Sequence, residues 1–133
     1  MGMKQILVML VAAVLLGQSV VAEEKLLADP IVEKAIRERI KKPSGKLTKA
    51  DYKKVRKLSL LGNKLTSVKG LERLTRLESL NLRANQLTDV KGLQKLTQLK
   101  DLWLENNPDL TKSQIDELQK ALPNCFILSN PTN

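Results

Sequence analysis

Very few side chains of this 133-residue chain could support catalysis or bind a metal ion. The sequence contains no histidine, which removes the commonest general base and the commonest metal ligand. Its one cysteine, Cys125, cannot form an intramolecular disulfide, and a single thiolate without imidazole partners cannot hold zinc or an iron–sulfur cluster. We therefore expect no metal, no cofactor and no histidine-assisted nucleophile.

The remaining candidates for acid–base chemistry are the carboxylates of Asp101 and Glu105. An extended chain rises about 3.3 Å per residue, so four residues separate the two groups by about 13 Å. Glycoside hydrolysis uses carboxylate separations of roughly 5 to 9.5 Å. The pattern around both residues also indicates an open sheet, with nothing to exclude water. The sequence therefore predicts that the protein is not an enzyme.

Leucine organises the chain, because it recurs at fixed intervals. Residues 64–85 and 86–107 are identical at 12 positions of a 22-residue register. Within each unit a Leu-x-Leu pair alternates as in a short strand. The three leucines before this pair are spaced by three residues, which favours a 3₁₀ or irregular helical return over a full α-helix. A side-chain amide at a fixed place after each strand can pair with backbone groups of the turn, which predicts a structural asparagine ladder. Its members are Asn63, Asn85, Asn107 and Asn130.

The repeat resembles the 22-residue class of bacterial internalin-like leucine-rich repeat proteins. The matching residues are Leu77-x-x-Leu80-x-Leu82-x-x-Asn85-x-Leu87-Thr88-Asp89-Val90-Lys91-Gly92-Leu93, and the resemblance extends from Asp29 to Asn130. Asp29 to Arg37 also resembles the N-terminal helical cap of such proteins. The resemblance implies a short α/β leucine-rich repeat solenoid. About four strands would form one parallel concave sheet between a helical N-terminal cap and a helix–strand C-terminal cap.

The chain divides into four predicted segments. Residues 1–22 combine one basic residue, a short apolar run and small residues before a cut after Ala22, which is typical of a cleaved signal peptide. An uncleaved membrane anchor is the alternative, but the run is shorter than the roughly 20 residues that a spanning helix needs. Residues 23–57 are predicted as a linker and helical cap, 58–109 as the repeats, and 110–133 as a capping repeat and tail. We expect a periplasmic or secreted protein.

Helix signals mark both ends of the repeats. Asp29 as N-cap and Pro30 at the first helical position predict a helix before Pro43. Two pairs with the spacing of a capping box, Thr48 with Asp51 and Thr111 with Gln114, predict two further helices. The apolar residues expected to face the core are Ile31, Val32, Ala35, Ile36, Ile40, Tyr52, Val55, Ile115, Leu118 and Leu122.

The last unit departs from the regular pattern at two places. Counted back from the asparagine, Cys125 stands where Leu80 and Leu102 stand, which predicts a buried and inert thiol. The final asparagine spacing is 23 residues rather than 22, which we attribute to one extra residue between Leu118 and Leu122.

Strand residues that alternate with the core leucines are expected on the concave face, the usual binding surface of a solenoid. Trp103 among polar neighbours is typical of an interface anchor, and Arg83 is expected to pair with Glu105 across strands. The alternative is that Trp103 lies over Arg83 and shields the sheet, and that the tail covers Phe126. A protein partner and a monomeric state are predicted. The predicted partner-binding residues are Asn81, Arg83, Asp101, Trp103, Glu105 and Phe126.

Positive charge is concentrated before the repeats. Residues 34–57 carry eleven basic and two acidic side chains, so their net charge equals the +9 of the whole chain. Such a patch attracts anionic surfaces, so an alternative function is binding to a polyanion or an anionic envelope surface. A simpler explanation of the positive charge is a solvated face that keeps the protein soluble. Nucleic acid is not an expected partner. The candidate polyanion-binding residues are Lys41, Lys42, Lys53, Lys54, Arg56 and Lys57.

Overall fold

The structure, a computed structural model, describes residues 30–130. The predicted signal peptide and the predicted helix cap at Asp29 lie outside the described residues. The helices are α1 (Pro30–Ile40), α2 (Lys49–Lys53) and α3 (Lys112–Ala121). The strands are β1 (Lys57–Ser59), β2 (Ser79–Asn81), β3 (Asp101–Trp103) and β4 (Phe126–Leu128). Two 3₁₀ helices, Leu71–Arg73 and Lys91–Lys95, connect β1 to β2 and β2 to β3.

The strands form one four-stranded sheet in the order β1-β2-β3-β4, and every neighbouring pair is parallel. Leu58, Leu80 and Leu102 are in register on three successive strands, and all three are buried. Each repeat therefore contributes one strand and one return segment to a common apolar core. This arrangement confirms the predicted short α/β leucine-rich repeat solenoid.

The leucines spaced by three residues form the return segments. The Leu74 N–H donates to the carbonyl of Leu71, and the Leu77 N–H donates to that of Leu74, each at 3.0 Å. These are the i to i+3 hydrogen bonds of 3₁₀ geometry, which places side chains three residues apart on the same side. All three leucines are fully buried. The predicted 3₁₀ return is confirmed.

The helices on either side of the repeats also agree with the sequence signals. Val32 and Ile36 of α1 are fully buried, and Tyr52 of α2 is also buried. Both predicted capping boxes are present with both of their hydrogen bonds, one at Thr48 and one at Thr111. No helix among residues 30–130 is both long enough and apolar enough to cross a membrane.

The register of β4 differs from the prediction. Leu102 pairs with Ile127, not with Cys125, so this coil contains 25 residues where the preceding coil contains 22. The α-helix α3 replaces a 3₁₀ segment here, and an α-helix advances only about 1.5 Å per residue against about 2.0 Å. More residues are therefore needed to cross the same width. The register differs from the expected one by two residues, an even number, so Phe126 stays on the side predicted for it, and Leu128 lies on the same side.

Candidate functional site

The asparagines that follow the strands bind backbone groups of adjacent coils. The Asn85 Oδ1 accepts hydrogen bonds from the backbone N–H groups of Asn63 and Leu65, at 3.0 and 2.9 Å. Its Nδ2 donates to the carbonyls of Leu60 and Leu82, at 2.9 and 3.0 Å. Asn85 is buried, so these contacts satisfy polar groups that water cannot reach. This side chain is part of the scaffold.

Asn107 makes the corresponding contacts one coil later. Its Oδ1 accepts from the Leu87 N–H at 3.1 Å, and its Nδ2 donates to the carbonyls of Leu82 and Leu104, both at 2.9 Å. The two outer asparagines make fewer contacts. The Asn63 side chain donates to the Leu61 carbonyl, and Asn130 exchanges two hydrogen bonds with the backbone of Asn107. The two central asparagines therefore join the coils most extensively.

The residue just before each of the first three asparagines adopts a left-handed backbone conformation. The φ angles are 68° at Gly62, 58° at Ala84 and 62° at Asn106. Glycine and asparagine tolerate this region, whereas an alanine Cβ is strained there. Sequence reasoning missed this turn, although Gly62 and Asn106 at equivalent positions are a usable signal for it.

The side of the sheet opposite the core is the candidate site, and we call it the open face. Its side chains alternate along each strand with the buried core residues. It consists of Lys57, Ser59, Ser79, Asn81, Asp101, Trp103, Phe126 and Leu128, with Leu61, Arg83 and Glu105 just beyond the strand ends. The register aligns Asn81, Trp103 and Leu128 in one row across three strands. The structure thus places all six predicted partner-binding residues on or next to one surface.

Apolar side chains are concentrated at the β4 end of the open face. Phe126 is 60% exposed and Leu128 is 36% exposed, while Trp103 on the neighbouring strand is half-buried. Leu128 is the register partner of Trp103, and Phe126 is the register partner of Asp101. Neighbouring parallel strands lie about 4.8 Å apart, so these three side chains form one continuous group. We call Trp103, Phe126 and Leu128 the apolar cluster.

Charged side chains flank the apolar cluster. The predicted cross-strand pair is present, with the Arg83 Nε at 3.5 Å from the Glu105 Oε1. This separation allows electrostatic attraction, but the Glu105 Oε1 makes no hydrogen bond and is shielded from solvent within the described part of the chain. Arg83 is held in place through its backbone, whose N–H donates to the Asn81 Oδ1 at 3.0 Å. The Glu105 Oε1 is therefore a buried acceptor whose only charged neighbour in the described residues is Arg83.

Half of the candidate polyanion-binding residues are engaged within the protein. The Lys42 ammonium lies 2.6 Å from the buried Asp51 carboxylate, and the Lys54 ammonium lies 3.5 Å from its other oxygen. Arg56 pairs with Glu78 of the next coil at 2.9 Å. Lys41, Lys53 and Lys57 are exposed, and no ion pair among residues 30–130 involves them.

Asp51 is the centre of the network that fixes the segment between α1 and α2. The hydrogen bond from Lys42 is the largest of several contacts that lower the pKa of Asp51 from its ordinary value, and the Thr48 N–H adds to it. Lys42 also donates to the carbonyl of Lys46 at 2.7 Å. The positive charge of Lys42 thus stabilises a loop of the protein.

Cys125 is buried although it does not take the predicted register position. Burial is the main cause that raises the pKa of the Cys125 thiol to about 11, and the negative charge of Asp101 adds to it. The thiol is therefore protonated at neutral pH, in agreement with the prediction of an inert core residue. Residues 30–130 contain no group of three or more Cys, Asp or Glu side chains that could hold a metal ion.

The repeats match a known family. A family model described as Leucine Rich repeats (2 copies) matches residues 53–94 and 75–124, which together span more than half of the chain. This chain belongs to the leucine-rich repeat family. Its fold is that of a repeat class that serves in protein–protein interaction. No curated protein sequence matches the chain.

Two solved structures of Listeria monocytogenes proteins resemble this one. An internalin (inlF) is 30% identical with a TM-score of 0.67, and the match covers 79% of this chain and 30% of that protein. Internalin C2 is 26% identical with a TM-score of 0.68, and the match covers 83% of this chain and 59% of that protein. These matches confirm the bacterial internalin-like class, and the chain spans less than two thirds of either protein.

Proposed function

We propose that the protein is a non-catalytic interaction module that binds a protein partner on its open face, the concave side of the solenoid. The observation that carries this proposal is the exposed apolar cluster on a face whose opposite side is a fully buried leucine core. Trp103 is the anchor, Phe126 extends the apolar contact, and the polar residues around them set specificity. Those polar residues are Asn81, Arg83, Asp101 and Glu105.

The composition of the open face supports this role. Tryptophan and arginine are enriched among the residues that dominate binding energy at protein interfaces. Trp103 is half-buried, which limits the conformational freedom that it loses when a partner covers it. Phe126 exposes more than half of its surface, and covering it removes apolar area from water. An apolar centre with charged neighbours is the usual anatomy of such a site.

The size of the sheet limits what can bind. Four strands at a spacing of about 4.8 Å give a surface only about 15 Å across. This is wide enough for a loop, a helix or an extended segment, but not for a large domain. We therefore propose a transient partner and a monomeric protein.

The alternative function, polyanion binding through residues 34–57, which we call the basic region, has weaker support. Lys42, Lys54 and Arg56 are engaged by Asp51 and Glu78, which reduces the charge that they offer to a ligand. The remaining exposed lysines form a sparser surface than the sequence suggested. The intramolecular pairs therefore favour the open face as the working surface.

Export is proposed from the sequence of residues 1–22, which lie outside the described residues. Cell fractionation followed by N-terminal sequencing tests it, with Glu23 expected as the first residue of the exported protein. A chain that retains Met1 in the cytoplasmic fraction would contradict export.

The test of the binding function is affinity capture from an envelope extract with the immobilised protein, at low and at high salt. A discrete protein that is retained at high salt and lost with Trp103→Ala supports the open face. Lys95→Ala is the control, because Lys95 is exposed on the 3₁₀ helix Lys91–Lys95, in a return segment that is not part of the open face. Retention of only heterogeneous anionic material that salt removes would favour the basic region instead.

A further inference from the structure

The open face is not uniform in charge from one end to the other. Lys57 and Arg83 belong to the first two coils, whereas Asp101 and Glu105 flank Trp103 on the third. We propose that the partner presents an extended segment in which a basic residue stands two positions from an apolar residue. The apolar side chain covers the apolar cluster, and the basic side chain pairs with Asp101. This inference rests on the proposed function and specifies the chemistry of the partner.

The spacing of the pattern follows from β3. Asp101 and Trp103 are alternate residues on the same face of one strand, so their Cα atoms are about 6.6 Å apart. An extended peptide lying along β3 has the same distance between its own alternate residues. A basic residue at one position and an apolar residue two positions later therefore reach both groups without distortion. Glu105 continues the alternation but already pairs with Arg83, so Asp101 is the carboxylate that the partner's basic residue contacts.

The Asp101 carboxylate is available to a ligand. Asp101 is half-buried, and among the described residues its side chain makes no ion pair and no hydrogen bond. Its register partner on β4 is Phe126, which offers no donor, and the side chain of Ser79, its partner on β2, makes no hydrogen bond with it. The Glu105 Oε1 is shielded from solvent and lies 3.5 Å from the Arg83 Nε, so it is not open to a ligand. A partner that supplies an N–H donor would complete Asp101, whereas a carboxylate placed there would be repelled.

The apolar cluster strengthens an ion pair between Asp101 and the basic residue of the partner. When a partner covers Trp103 and Leu128, water is excluded from the space around Asp101, and an ion pair is screened less in such a place than on an open surface. The same exclusion makes an unpaired charge costly, so the site discriminates against partners that lack the basic residue.

The experiment is selection of a displayed library of random twelve-residue peptides on the purified protein. The result expected is enrichment of sequences with Lys or Arg two positions from Leu, Ile, Phe or Trp. A synthetic peptide made from the enriched sequence should bind about fivefold more weakly to Asp101→Asn. Selection on Asp101→Lys should replace the basic residue of the enriched pattern by Asp or Glu. Enrichment without charge preference, or no enrichment, would overturn the inference.

Variants separate failure of the inference from failure of the proposed function. Loss of the selected peptide with Trp103→Ala, together with unchanged affinity for Asp101→Asn, would overturn the charge pairing and leave the open face as the binding surface. Retained binding in Trp103→Ala would overturn both. Lys95→Ala, outside the open face, should bind as the original protein does, and thermal melting monitored by circular dichroism establishes that each variant is folded.

Discussion

The side-chain amides of Asn85 and Asn107 donate to the same carbonyl oxygen, that of Leu82, at 3.0 and 2.9 Å. A carbonyl oxygen has two lone pairs, and here each is used by an asparagine of a different coil. The ladder is therefore a continuous chain of hydrogen bonds through the turns. It fixes each turn relative to the next, and so holds the strands of the open face in register.

Removal of a central asparagine should destabilise the protein strongly. In Asn107→Ala the buried Leu104 carbonyl and the Leu87 N–H both lose a partner. Because each buried polar group left unsatisfied costs about 1 to 3 kcal/mol, the free energy of unfolding should fall by about 3 kcal/mol. Urea denaturation measures the change. Asn63→Ala is the control with an expected loss below about 1 kcal/mol, since its side chain makes one contact. Equal losses for the two variants would contradict a central role for Asn107.

Ala84→Gly should stabilise the protein. Ala84 has a φ of 58°, a conformation in which an alanine side chain is strained and glycine is not. Gly62 already occupies the equivalent place one coil earlier. We expect the free energy of unfolding to rise by about 0.5 to 1 kcal/mol, because the relief of strain is partly offset by the greater freedom of glycine in the unfolded chain. Ala35→Gly should instead lower the free energy of unfolding by about 1 kcal/mol, because Ala35 lies within the helix α1, where glycine is unfavourable. A loss in both variants would contradict the strain at Ala84.

The asparagines and the leucines made most of the scaffold predictable, because both recur with the period of the coil. Residues 22 apart are neighbours on adjacent coils, which is why the pair of Arg83 with Glu105 could be expected. The pair of Arg56 with Glu78 has the same spacing, but it is not among the expected contacts because Arg56 precedes the two regular repeats. The repeat period therefore predicts contacts beyond the repeat itself.

The register of β4 could not be predicted from the position of Asn130. The spacing of the asparagines indicated one additional residue, whereas the pairing of Leu102 with Ile127 requires three. These two numbers of additional residues differ because the turn between β4 and Asn130 is shorter than the turns before Asn85 and Asn107. A motif residue fixes the turn to which it belongs, but it does not fix how many residues the preceding helix needs. The apolar cluster depends on this register, because it brings Leu128 beside Trp103.

The stability of the segment around α2 should depend on pH through Asp51. The ammonium group of Lys42 lowers the folded-state pKa of Asp51 below its ordinary value of 3.8. The stabilisation is therefore fully present at neutral pH, begins to disappear as the pH falls below about 4, and is lost through the folded-state pKa. Asp51→Asn should lower the melting temperature at pH 7 and make its decline toward acid pH shallower. Asp109→Asn is the control, because Asp109 is exposed and should change neither.

Cys125 should react slowly with thiol reagents in the folded protein. Its pKa is raised from 9.0 to about 11, chiefly by burial and further by the charge of Asp101. A rise of two units lowers the thiolate population about 100-fold at pH 8, and the buried position restricts access in addition. Alkylation followed by mass spectrometry should therefore be at least about 100-fold slower than in urea. Asp101→Asn removes the smaller cause and should accelerate the reaction modestly, whereas Asp116→Asn on the exposed side of α3 should not. Equal rates in folded and unfolded protein would show that the thiol is open to solvent and that β4 does not cover it.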